Sequence, residues 1–410
     1  MGLAADKKEK KEKKEAEPVK VKVLLKEART AIKNSSNQSG AEKKLTDALS
    51  RPELTNSERA EILHTAALLR ESVNNGENTK AYLKQNYDTI TFFSTILGMY
   101  DYVMRCDSVD VLPNNKGEVK PQYRQKGREM LLKYRNNLLA GGNFMVKHQK
   151  YAEAMSFFKT YLTSMDHPML DGHLKERNDS VLRYKVTYWT TYSAHNAQRY
   201  DEVVKHVDYA IEGMPVDSIR MALMEVRCHA WANLGDTTRY VASLVEGVKT
   251  YPRDDYFFLH LMDYHQSMRE WDRGLQLSDT LTKRVGPKTE YFFAKSLMYR
   301  GKGDDYHVAV MCDSVLTREP DHKEALYNKG IALLNIATTH AETAPKDARK
   351  QMSRKDREYL NSLYRAALTP MKHLRELTPN DKDKWGRPLY RIYLYLNMGK
   401  EFEEMERLLK

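Results

Sequence analysis

Helical stretches restart along this chain near Arg135, Tyr184, Met221, Asp255, Thr289 and Lys323, at separations of 49, 37, 34, 34 and 34 residues. The three successive intervals of 34 constrain the fold more than any other feature. That length suits two helices and two turns, a unit too small to bury its own apolar face, so such units must stack on one another. Several stretches end at a proline, Pro215, Pro252 and Pro320 among them, where the ring and the missing N–H stop a helix. With 13 Pro and 19 Gly in 410 residues, breakers are too few for a turn-rich β fold, and helices dominate the reading.

The stretch Val315–Leu334, VLTREPDHKEALYNKGIALL, places Gly330 inside a helical pattern. Glycine there costs about 1 kcal/mol against alanine, so another helix is expected to approach closely at that point. Small residues recur in neighbouring units. LLAGGNFMVKHQKYAEAMSFFKTYL carries Leu138, Gly141, Gly142, Tyr151, Ala154 and Phe158, and RYDEVVKHVDYAIEGMP carries Tyr200, Val203, Val207, Ala210 and Pro215. Cys228, Trp231, Leu244, Gly247 and Pro252 follow, then Trp271, Gly274, Ser278 and Leu281, then Ser296, Tyr299, Val308, Cys312 and Val315. These residues make the chain resemble the tetratricopeptide repeat (TPR) family over most of 135–340, with no subfamily indicated. The resemblance implies an all-α fold, a right-handed superhelical solenoid of antiparallel helix pairs. Gly330, Cys228, Ser296 and Gly274 would then sit at helix–helix contacts, with Trp231 or Tyr299 filling adjacent holes.

The organisation expected from the sequence is a Lys/Glu-rich disordered leader at 1–18 and an N-terminal helical region at 19–106, read as possibly degenerate repeats. A linker at 107–121, DSVDVLPNNKGEVKP, has turn residues and no periodicity. The TPR-like array at 122–340 follows, then a basic insert at 341–357 and a C-terminal helical repeat and cap at 358–410. In the last segment Ala367, Met371 and Leu374 resume the pattern. Thr55, Asn56 and Ser57 ahead of Glu58 mark a helix start.

Motifs for chemistry are missing from the sequence: no G-x-x-x-x-G-K-[ST], G-x-G-x-x-G, H-E-x-x-H or G-x-S-x-G occurs. The glycine clusters at Gly301–Tyr306 and Leu139–Phe144 follow no strand, and DSVDVLPNNKGE lacks EF-hand spacing. His260 and His265 lie five apart and His195 and His206 flank a turn, but neither pair has a third ligand at useful spacing. Cys106, Cys228 and Cys312 are widely spaced and read as buried, unpaired thiols. No enzyme, metal or cofactor is expected.

What remains is a binding surface. In TPR-like solenoids the first helices line a concave groove at about the second, fifth, ninth and twelfth repeat positions. The resemblance carries this onto Asn143 and Lys147, then Tyr188, Tyr192 and His195, then Glu225 and His229, then Asp263 and Gln266, then Arg300, and finally Tyr327. As a set they mix aromatic, cationic and anionic groups, which suits a protein or peptide partner. The Asn/Lys pair that grips a C-terminal carboxylate is present only in part, because Tyr192 stands where a second Asn is needed.

The formal charge of +11 is dispersed: residues 1–26 hold +4, leaving +7 over the other 384. That argues against nucleic acid as the partner. The alternative is a helical-repeat RNA or polyanion binder using the leader and the insert at Lys346–Arg357. No run of eighteen apolar residues occurs. The opening MGLAAD resembles the end of a secretory signal without its apolar part, which leans towards a periplasmic or cell-envelope location over a cytoplasmic one. The oligomeric state is open.

Overall fold

A computed structural model describes residues 20–114, 116–174 and 179–409; the 1–18 leader and the GLAA tetrapeptide lie outside them. The described residues form α-helices joined by short turns, with one short 3-10 segment at Pro168–Leu170 and no strand among them. The fold is all-α. It divides into two compact units between Leu234 and Gly235.

The first unit contains α1 (Val21–Asn34), α2 (Gln38–Ala48), α3 (Asn56–Tyr82), α4 (Thr89–Asp110), α5 (Arg124–Lys147), α6 (Tyr151–Met165), α7 (Ser180–Asn196), α8 (Tyr200–Gly213) and α9 (Asp217–Asn233). Thr55 caps α3: its hydroxyl accepts from the Glu58 N–H, and the Glu58 carboxylate accepts from the Thr55 N–H, the reciprocal arrangement of a capping box. Buried Asn74 on α3 donates to the Phe92 carbonyl at 2.7 Å and to Thr95 Oγ at 3.0 Å, pinning α4. The aperiodic 107–121 segment holds the last turn of α4 and part of the connection to α5, where Asp110 Oδ2 accepts from the Tyr123 N–H at 2.7 Å.

Between α6 and α8 the buried Glu202 carboxylate accepts from Lys159 at 2.7 Å and from Lys205 at 2.9 Å. Burial alone would raise its pKa. The two lysines outweigh burial and hold it at about 2.

The second unit contains α10 (Thr237–Thr250), α11 (Asp255–Ser267), α12 (Trp271–Val285), α13 (Thr289–Lys302), α14 (Asp305–Leu316), α15 (Lys323–Thr343), α16 (Arg354–Leu377), α17 (Lys382–Tyr395) and α18 (Gly399–Leu409). Within each unit, helices pack chiefly on their neighbours in the chain. Gly330 answers the question its sequence raises. A Cβ added there would lie 2.3 Å from Met371 Cε and 2.8 Å from Met371 Cγ, so the glycine on α15 makes room for the fully buried methionine on α16. Cys228, Ser296 and Gly274 are buried as the repeat pattern requires.

The backbone carries its own record of the period. Gln149, Gln198, Gly235, Arg269 and Gly303 all have positive φ, between 56° and 74°, and each stands two residues before a second helix. Their separations are 49, 37, 34 and 34 residues, the same intervals that the side-chain pattern gives. At each of Gln149, Gln198, Arg269 and Gly303 the preceding helix closes with paired carbonyl contacts. At Gln198, for example, its N–H donates to His195 O at 3.0 Å while the Arg199 N–H reaches Ala194 O at 2.8 Å. That is the Schellman closure, which turns the chain sharply into an antiparallel partner.

The next repeat departs from this rule. α15 runs on to Thr343, and residues 344–353 lead into α16, with a backbone bridge between Lys346 and Met352. Ala367, Met371 and Leu374 on α16 are fully buried. Cys106, Cys228 and Cys312 are buried thiols, and burial pushes Cys106 up to about 12 and Cys312 up to about 11, far from the reactive range.

Candidate functional site

In the first unit, α7 sets Tyr184, Tyr188 and Tyr192 one turn apart on one face, as residues four apart must be. The Tyr188 and Tyr192 rings stack with centroids 6.3 Å apart, and Tyr151 of α6 meets Tyr192 edge-on at 6.0 Å. Burial raises the Tyr192 hydroxyl pKa, and a hydrogen bond with Tyr151 adds to it. Farther along α7, His195 Nε2 lies 3.2 Å from His229 Nδ1 of α9. One of those two nitrogens must donate and the other accept, so the contact needs at least one neutral ring. Burial, and then the facing His229, lower the His195 pKa.

Tyr188 also lines a cleft of about 590 Å³ with Tyr184, Lys185, Glu212, Met214 and Arg220. Its floor is aromatic. Tyr184 stacks on Tyr209 with centroids 4.5 Å apart, and its ring lies so close to Gly213 that an added Cβ would fall 1.8 Å from Tyr184 Cγ. Arg220 fixes the far wall by donating to the Met214 carbonyl at 2.7 Å. Asn143 and Lys147 are exposed on α5, and no hydrogen bond or ring contact joins them to the tyrosines. Glu225 is half-buried on α9 and does not line the cleft.

In the second unit, α11 and α13 enclose a pocket of about 220 Å³. Leu259, Asp263 and Gln266 line it from α11, Glu290, Phe293 and Leu297 from α13, and Glu319 and His322 from the approach to α15. Met262, Ala294 and Met298 form a buried base. His322 Nδ1 accepts from the Ala325 N–H at 3.2 Å, capping α15, and its ring lies 4.7 Å from Phe293. Arg300 does not reach the pocket; it donates to buried Asn328 at 3.0 Å. Tyr327 packs against the apolar cluster of α15 and α16.

The expected set is therefore brought together in part. Tyr188 with Tyr192, His195 with His229, and Asp263 with Gln266 converge. Tyr184, Arg220, Glu290, Phe293, Leu297, Glu319 and His322 were not in it. Three of these had a signal: Glu290, Phe293 and Leu297 are the second, fifth and ninth residues of the unit that starts at Thr289. His260 packs edge-on against Tyr256, with centroids 4.3 Å apart, and His265 Nδ1 lies 2.9 Å from Glu270. Among the described residues no three His, Cys, Asp or Glu side chains form a group that could hold a metal ion. No helix among them is long and apolar enough to cross a membrane.

No family model matches the sequence, and no curated protein does either. Among solved structures, the C-terminal part of a TPR repeat-containing protein from Cytophaga hutchinsonii is 11% identical, with a TM-score of 0.42 over 64% of this chain and 91% of its own. A TPR repeats protein from Bacteroides fragilis is 16% identical, with a TM-score of 0.31 over 65% of this chain and 97% of its own. YrrB, a TPR protein with an unusual peptide-binding site, is 15% identical, with a TM-score of 0.34 over 51% of this chain and 98% of its own. The helix pairs and their 34-residue interval in this chain are what define its TPR-like fold.

Proposed function

We propose that this protein is a non-catalytic scaffold that holds a segment of a partner protein or peptide against the first helices of its repeats. The observation that carries this reading is the pocket of the second unit. Leu259, Asp263 and Gln266 of α11 and Glu290, Phe293 and Leu297 of α13 all line it. They stand on the repeat positions that the helix pairing leaves unburied. A site that draws apolar and polar groups from successive helices suits an extended chain, which offers side chains at regular intervals. The carboxylates on this face oppose the polyanion alternative, because phosphate binding needs cations at the contact.

The test places a photoreactive amino acid at Leu259 on α11, with a control at Thr280 on α12. Irradiation in the protein's own host is expected to join Leu259 to a polypeptide and to leave Thr280 unlinked. Equal capture at both positions, or capture of nucleic acid, would overturn the reading.

A further inference from the structure

The groove reading leaves the chemistry of the bound segment unspecified, and the electrostatics of the α11–α13 pocket narrow it. Three carboxylates, Asp263, Glu290 and Glu319, stand around an apolar centre of Leu259, Phe293 and Leu297, and no Lys or Arg lines the pocket. Three other carboxylates on these helices do have cationic partners: Asp255 with Lys288 at 2.7 Å, Asp279 with Lys295 at 2.6 Å and Asp272 with Lys302 at 2.6 Å. Asp263, Glu290 and Glu319 have no ion pair among the described residues. Unpaired acids are gathered here in a chain whose formal charge is +11. Like charges at one site repel, and a bound cation relieves that repulsion.

The apolar centre is accessible as well. Leu259 is 43% exposed, and the volume of about 220 Å³ is below the roughly 300–1,000 Å³ typical of drug-sized ligand sites. That is room for a single side chain, with the rest of its backbone passing outside. Resting on the groove reading above, we infer that this pocket selects a peptide segment in which one aliphatic or aromatic residue is flanked by Lys or Arg. The apolar residue enters between Leu259, Phe293 and Leu297, and the flanking cations meet Asp263, Glu290 and Glu319 at the rim.

The experiment uses the full chain and a phage-displayed library of short random peptides, followed by fluorescein-labelled synthetic copies of the recovered sequences. Recovered peptides are expected to share an apolar residue between basic ones. Their affinity should fall about tenfold in the Asp263→Asn, Glu290→Gln, Glu319→Gln triple variant, three rim pairs each contributing a few-fold. It should also fall as salt is raised towards about 0.5 M. The carboxamides keep the shape of the side chains they replace, and helical circular dichroism checks that the variant folds. Peptides that lose binding in Phe293→Ala but bind the triple variant as tightly as the parent would overturn the charge inference and leave the groove reading standing. No recovered peptide, or binding indifferent to Phe293→Ala, would overturn both.

Discussion

The cleft of the first unit and the pocket of the second both draw on the first helices of neighbouring repeats, yet their chemistry differs. The cleft, about 590 Å³, has a tyrosine floor with Lys185, Arg220 and Glu212 around it. The pocket, about 220 Å³, has an aliphatic and phenyl centre, with Asp263, Glu290 and Glu319 around it and no Lys or Arg. Residues at the helix contacts are held to small or closely fitting side chains by packing, as Gly330 against Met371 illustrates. Residues at the free positions are not so held. One repeat backbone can therefore present two chemically unrelated surfaces, which differ by a handful of side chains per repeat.

Disrupting the packing of either unit should cost most. Gly330→Leu drives a branched side chain into Met371, and a loss of about 3 kcal/mol is expected in the second unit, as overpacking gives; urea unfolding followed by circular dichroism measures it. A variant as stable as the parent would remove Gly330 from the helix contact. Gly213→Ala in the first unit displaces the Tyr184 ring from its seat, costs about 2 kcal/mol, and closes the tyrosine cleft without touching the carboxylate pocket. Tyrosine fluorescence and denaturant titration report both effects. A stability and tyrosine signal matching the parent would show that the cleft floor does not depend on that glycine.

The two units should also differ in acid. Glu202 has a folded-state pKa of about 2 against an ordinary value of 4.5. The native state holds its proton less tightly than the unfolded chain, so its contribution is fully present above about 4.5. It is lost as pH falls towards 2. Glu202→Gln should flatten the stability of the first unit over that window while leaving the second unchanged; an identical acid profile in the variant would refute the assignment. The mildest change is a gain. Gln198 and Arg269 adopt the left-handed conformation at φ 57° and 56° where other repeats use Gly235 and Gly303. Replacing either with glycine should stabilise its unit by up to about 1 kcal/mol, read as a higher denaturation midpoint. A lower midpoint would mean that the side chain contributes more than its backbone strain costs.

Much of the fold was legible because helix period and small-residue spacing are local properties. The 49, 37, 34 and 34 intervals survive unchanged in the positive-φ residues that precede the second helices. The division at Leu234 was not legible, since periodicity marks where helices stop and not how they group into units. The same limit applies to the site. Asp263 and Gln266 read as groove residues because the repeat resemblance carries its ninth and twelfth positions onto them. Phe293 and Leu297 occupy matching positions but look like core residues, and only three-dimensional placement distinguishes a half-buried phenylalanine at a pocket from one inside. Arg300 had the right position and was drawn away by Asn328, a pairing with no sequence signature.

Helices that pack chiefly on their chain neighbours also bear on how this protein is made. A growing chain needs no distant segment before it can fold, because each new helix finds its partner already synthesised. Folding can therefore keep pace with the ribosome, one hairpin at a time. Within each unit the newest helix shows an apolar face that the next one will cover. A pause in synthesis midway through the repeats would leave that face open to other chains, so rare codons within the array should favour aggregation more than rare codons after α18.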